Sequence, residues 1–212
     1  MKTEDLINAM VQDGASRRAS MRARISLALA LGGLVAAALF MLILGVRPDL
    51  VRALMTWRFG MKLAVTVVCF AAALWATFEL ARPDANVPRA LLVLALPLAL
   101  LAVTVGYELI ASPMDTWRAR ALGTNSRLCV TSIAVLAIAP LVTLLLALRA
   151  GAARSPALAG TAAGLLAGGL AATLYAMHCF DDSPLFVSLW YIPAIALVAS
   201  MGAASGSRLL RW

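Results

Sequence analysis

Six long stretches of the chain are apolar almost without interruption, at 25–46, 61–81, 90–111, 128–148, 157–177 and 186–207. Each is near the roughly 20 residues that a helix needs to cross the hydrocarbon layer. They are apolar all round and do not alternate or show a polar face, which is the pattern of a helix surrounded by lipid or by other helices. The connections at 47–60, 82–89, 112–127, 149–156 and 178–185 are short. The pattern predicts an all-α membrane protein: a transmembrane domain over 25–212 with six helices, preceded by a polar segment at 1–24.

That first segment has a pattern of its own. Thr3 can cap a short helix whose first turn carries Glu4 and Asp5, the charge a helix N-terminus favours. Leu6, Ile7, Met10 and Val11 then fall on one face, while Asn8, Gln12 and Asp13 turn away and Gly14 can end the helix. A helix this short is marginal alone in water. It lies on the membrane, enters the groove of a partner, or stays a frayed tail beside the first span. The segment is long and mixed in charge, and the apolar run after it offers no cleavage site, so it reads as a tail and an anchor, not as a signal peptide.

Composition agrees with the pattern: 63% of residues are hydrophobic and 13% charged, far from the soluble average of about 45–50% and about 25%. The net charge of +8 does not point to direct nucleic-acid binding, because short loops of such proteins collect Lys and Arg for orientation. Eleven basic residues fall on the side of the two termini and seven on the other. The loop 178–185 has none. This asymmetry predicts a multi-pass inner-membrane protein with both termini in the cytoplasm.

Within the spans, Gly160, Gly164 and Gly168 recur every fourth residue, and Gly202 and Gly206 do so in the last run. Small residues at this spacing let helix backbones approach closely in lipid; an Ala- and Gly-rich composition is the competing explanation. Pro97, Pro140 and Pro193 lie inside spans and should kink them. Lys62, Glu79 and Glu108 sit near span ends, where long side chains can snorkel to the interface. No charge falls near the midplane. An ion-coupled transporter needs one.

The reactive side chains are few and clustered. Cys69 is mid-span and reads as a small apolar residue. Cys129 begins the fourth span and Cys179 follows the fifth, both on the side away from the termini. A Cys129–Cys179 bond would clasp the open end of the hairpin formed by those two helices, and oxidising compartments preserve such bonds. The stretch MHCFDDSPLFVSLWYIP, 177–193, adds the single histidine, His178, together with Asp181 and Asp182. With Cys179 these could hold a transition metal ion, although the spacing is not that of a structural zinc site. The same stretch can instead cap the sixth helix, with Ser183 as N-cap and Pro184 at the first helical position. Catalysis finds little support: adjacent Cys and His at a helix end point apart, and a disulfide relay would need a second outer cysteine pair.

Three pieces, MKTEDLINAMVQD at the start, Leu128-Cys129 at the head of the fourth span and HCFDDSPLFVSLWY at the fifth-to-sixth turn, together resemble the NrsF family of six-span membrane anti-sigma factors. The resemblance covers the whole chain, and the His-Cys-x-Asp-Asp-Ser-Pro run is its most specific part. It implies that the N-terminal segment, through Leu6, Ile7, Met10 and Asp13, binds an extracytoplasmic-function sigma factor. It further implies that Cys129 and Cys179 perceive oxidative or heavy-metal stress. Where many relatives have a Pro-Val step after the tail motif, this chain reads Gly14-Ala15-Ser16. The resulting reading is an anti-sigma factor and not an enzyme, with no resident cofactor beyond a transient metal ion at the outer cysteines. A metal-ion transporter or channel subunit is the alternative, and a membrane thiol oxidoreductase a weaker one.

Overall fold

The computed structural model describes the backbone of residues 3–210 and the side chains of residues 21–210. Its regular structure is helical throughout, in the order α1 (Thr3–Ile43), α2 (Leu50–Leu54), α3 (Trp57–Leu80), α4 (Val87–Ala111), α5 (Met114–Leu122), α6 (Ser126–Leu148) and α7 (Pro156–Ala176). The last is α8 (Pro184–Leu209). Six of these helices are long and apolar enough to span a membrane: α3, α4, α6, α7, α8 and the Met21–Ile43 part of α1. The six expected spans are therefore all present, each shifted by no more than a few residues. Successive spans run in opposite directions, so the two termini share one face of the bundle, here the terminal face; the turns 44–56, 112–125 and 177–183 form the distal face.

Two differences from the sequence reading have simple causes. The α1 helix passes through Gly14 without ending; an interior glycine costs only about 1 kcal/mol against alanine, too little by itself to stop a helix this long. The connections 47–60 and 112–127 are not plain loops, because α2 and α5 lie within them. Both are too short to show a helical period in the sequence. The side chains of Leu6, Ile7, Met10, Val11 and Asp13, in which a partner-binding face was read, lie outside those described.

The centre of the bundle is α7, which packs against α3, α6 and α8; α1 leans on α6, and α4 on α3. Composition explains this placement. The α7 sequence, PALAGTAAGLLAGGLAATLYA, is small on nearly every side, so three neighbours can approach it closely. It is the most buried of the six spans, and α4 and α1 are the least, their exposed Leu, Val and Ile faces left to lipid.

The glycine spacing is put to use. A Cβ on Gly160 would stand 2.2 Å from the Gly202 carbonyl oxygen, and one on Gly164 would stand 2.6 Å from Ala199 Cα. Reciprocally, a Cβ on Gly202 would meet the Gly160 oxygen at 2.3 Å. The α7 and α8 backbones are thus in direct contact, and the spacing reflects packing more than composition. On the other side of the bundle, Gly32 of α1 crosses α6 at Pro140, where a Cβ would lie 2.5 Å from Pro140 Cα. Thr143 Oγ1 ties the crossing by donating to the Ala28 carbonyl at 2.8 Å. Pro193 is absorbed by a π-helical turn at Val187–Tyr191 just ahead of it, a wider turn that accommodates the missing amide hydrogen.

Candidate functional site at the distal face

The distal face is organised by two glycines with positive φ. Gly45 (φ 70°) follows α1, and its N–H returns to the Phe40 carbonyl at 2.8 Å. This left-handed helix ending, which glycine enters without a Cβ penalty, turns the chain so that the Arg47 N–H reaches the Met177 carbonyl at the end of α7, 3.0 Å away. Gly123 (φ 56°) ends α5. The amide groups that follow it, Thr124 N–H and Asn125 N–H, both donate to Asp181 Oδ2, at 3.0 and 3.1 Å. The turns are therefore fastened to each other through the segment 177–183.

Arg47 is the centre of this fastening. Its Nη1 donates to Asp182 Oδ2 at 2.9 Å and to the Cys179 carbonyl at 3.1 Å, while Nε and Nη2 grip Asp49 in a fork at 2.8 and 2.9 Å. The guanidinium also lies over the Phe180 ring, 4.7 Å from its centroid, a stacking that only arginine performs well. Asp49 and Asp182 hold the guanidinium charged and push its pKa up against the opposing effect of burial. In return, the Arg47 fork keeps the Asp49 carboxyl below the usual carboxylate range.

Lys62 joins the same group from α3. Its Nζ donates to the Cys179 carbonyl at 2.8 Å and pairs with Asp182 Oδ1. Lys62 was expected to snorkel to the interface, but its side chain is fully buried. Glu108 departs from expectation in the same way: its carboxylate is fully buried and takes Arg58 Nε at 3.1 Å and Arg120 Nη1 at 2.7 Å. Charges can be taken out of water when partners and hydrogen bonds surround them, and here those partners come from distant turns. Only Glu79 of the three is peripheral, pairing with Arg82 at 3.6 Å and accepting the Asn86 N–H at 3.1 Å.

The reactive residues of 177–193 do not gather into a metal site. His178 Nδ1 lies 3.1 Å from the Gly45 carbonyl, Asp181 receives two backbone amides, and Asp182 is held by Arg47 and Lys62. Among the described residues no three of His, Cys, Asp and Glu converge as a metal would require. The carboxylates instead join elements together. The capping expectation fits directly: Ser183 Oγ accepts the Leu185 N–H at 3.3 Å, with Pro184 at the start of the helix.

Cys129 and Cys179 are both free thiols, both buried and members of one hydrophobic core. They lie within electrostatic reach of each other and of Lys62. Burial pushes the Cys179 thiol up, against the opposing pull of Lys62. Around them stand Tyr175 and Tyr191, rings 6.0 Å apart. Cys69 lies outside this group, half-buried in α3. Arg47, Lys62 and Glu108 are the participants that sequence reasoning missed. A signal for Arg47 was available in Gly45-Val46-Arg47-Pro48-Asp49, a left-handed turn residue followed by a closely spaced Arg and Asp.

The family model described as "NrsF: Negative regulator of sigma F" matches residues 11–212. The chain is 36% identical to the "Anti-sigma-F factor NrsF" of Caulobacter vibrioides and 33% identical to the "Probable anti-sigma-F factor NrsF" of Azospira oryzae, in each case over the full length of both chains. No solved structure matches the chain at a significant level.

Proposed function

Because the chain belongs to the NrsF family of negative regulators of sigma F, we propose that it is a membrane anti-sigma factor whose N-terminal segment holds an extracytoplasmic-function sigma factor at the inner membrane. Release follows oxidative or heavy-metal stress acting on Cys129 and Cys179. Both termini are cytoplasmic in this reading, as the basic asymmetry of the loops favours, and the thiol-bearing distal face looks outward. Leu6, Ile7, Met10 and Val11 form the apolar stripe that enters the sigma factor, with Asp13 beside it. The reading assigns no catalytic step to the chain.

One observation carries this proposal: α1 is a single helix from Thr3 to Ile43, and Arg47, four residues beyond its end, holds the Cys179 carbonyl and Asp182. At 1.5 Å per residue a helix of 41 residues extends about 60 Å, more than a membrane's thickness. In this reading the segment that meets the partner and the turn that carries the thiol are linked by one continuous helix. An oxidant or a thiophilic metal that changes the Cys179 turn alters the grip on Arg47, and α1 carries the change to its other end.

The test is the double substitution Leu6→Asp, Ile7→Asp in the full chain. It should release the sigma factor and switch on its promoters without stress while the protein inserts normally. Silent promoters alongside abundant protein would remove the N-terminal segment from the binding role.

A further inference from the structure

Among the described residues Tyr175 and Tyr191 are two of the largest fully buried side chains, 0% and 1% exposed, and neither hydroxyl reaches a nitrogen or oxygen partner; the polar atom beside each is the Cys179 sulfur. Buried hydroxyls nearly always find such a partner. Two such donors side by side, their rings 6.0 Å apart and with only a weakly accepting sulfur near them, call for a physical reason. The Cys179 N–H bonds to the Tyr175 carbonyl at 3.0 Å, which places the cysteine one helical turn beyond that tyrosine, and the thiol lies beside both phenols. Its weak contact is with the Asp181 carbonyl at 3.8 Å.

The protonation state of the sulfur decides what the hydroxyls can gain. A neutral thiol is a poor acceptor, so they gain little from it. A thiolate accepts charge-assisted bonds of roughly twice the strength of neutral ones. Burial opposes the thiolate, and buried thiols are ordinarily inert, which conflicts with a sensing role. We infer that Tyr175 and Tyr191 are positioning residues of the thiol site, their hydroxyls donating to the sulfur of Cys179 once it is a thiolate and keeping a buried thiol reactive. This rests on the reading of Cys179 as the responding thiol.

The other groups facing this sulfur are accounted for. Lys62 of α3 favours the thiolate, and Asp181 from its own turn disfavours it. Cys129 stands across from it on α6, and Arg47 binds its carbonyl. The His178 ring is turned toward Gly45, 6.0 Å from the Tyr175 ring. Tyr191 is the titratable group that α8 brings to the sulfur.

The experiment measures the rate at which N-ethylmaleimide alkylates Cys179 across a pH series. It uses the full chain in lipid nanodiscs, with Cys69→Ser and Cys129→Ser leaving Cys179 as the one thiol. Tyr175→Phe and Tyr191→Phe should each move the profile to higher pH, slowing alkylation about tenfold at a fixed pH below the midpoint. Tyr107→Phe, at an exposed tyrosine, should leave it in place. An unchanged or faster profile in both Phe variants overturns the inference. If they unfold and the thiol reacts as an exposed one, replacement of the three tyrosines by 3-fluorotyrosine, a stronger donor, gives the second measurement. It must move the profile to lower pH, and no movement or the reverse overturns the inference. Failure of the sensing role itself is read separately, as a promoter response that persists in Cys179→Ser.

Discussion

Arg47 and Asp182, separated by 135 positions in the chain, meet at 2.9 Å, and through this pair the turn after the first span holds the turn before the last. Lys62 makes the arrangement a triad, because its fully buried ammonium shares the same carboxylate. Removing the carboxylate leaves one buried cation with only a backbone carbonyl.

Asp182→Asn should therefore destabilise the protein by about 3–5 kcal/mol, the usual cost of breaking a buried pair by deleting one partner. Thermal unfolding in mild detergent measures it. In a Lys62→Met background the same substitution should cost clearly less, since no buried ammonium is then stranded, and the difference is the coupling energy. Equal costs in both backgrounds would show that Lys62 and Asp182 do not act together.

The glycines divide into two classes with opposite expected responses. Gly160→Ala drives a methyl against the α8 backbone, 2.2 Å from a carbonyl oxygen, and should destabilise the bundle or force α7 and α8 apart. Gly106 in α4 has nothing within 4 Å of a Cβ. Gly106→Ala should stabilise by about 0.4–1 kcal/mol, because it restricts the unfolded chain and improves helix propensity. Detergent melting of the two variants side by side decides the matter; a neutral Gly160→Ala would show that the α7–α8 contact is not tight.

Burial of Cys179 gives a pH dependence of definite sign. Its folded-state pKa is raised, so the folded protein keeps the proton to higher pH than the unfolded chain does. The associated stability is fully present below the ordinary thiol value of about 8.5 and is lost as pH rises through the folded value. Melting temperature should fall more steeply with alkaline pH in the unsubstituted protein than in Cys179→Ala. Parallel slopes would mean that the thiol ionises as freely in the fold as outside it.

The sequence carried the spans because uninterrupted apolar runs have one solution in lipid, and it carried the Ser183–Pro184 cap and the Gly160, Gly164, Gly168 face because those signals are local. Lys62 and Glu108 were misread as snorkelling residues because their partners lie in other turns: Asp182 is 120 positions from Lys62, and Arg58 is 50 from Glu108. No periodicity records such pairings. Asp181 and Asp182 looked like one acidic pair, yet they face different elements, one the amides before α6 and the other Arg47 in the turn after α1 and Lys62 of α3. The passage of α1 through Gly14 was equally hidden, since a glycine that can end a helix need not do so.

The remaining prediction concerns the thiol pair itself. Cys129 sits at the head of α6 and Cys179 between α7 and α8, both buried in one hydrophobic core. If oxidant or metal acts on the two jointly, whether by forming a bond or bridging them with a thiophilic ion, either single loss removes the whole joint effect. Cys129→Ser and Cys179→Ser should each blunt sigma-factor release under stress, and the double variant should resemble either one alone. Cys69→Ser should change little, as Cys69 lies on α3 apart from that pair. Promoter reporters under oxidant and under cadmium measure the four variants in parallel, with protein level checked in each. Additive losses would mean that the two thiols act independently. A full response in the double variant would place the sensor elsewhere in the chain.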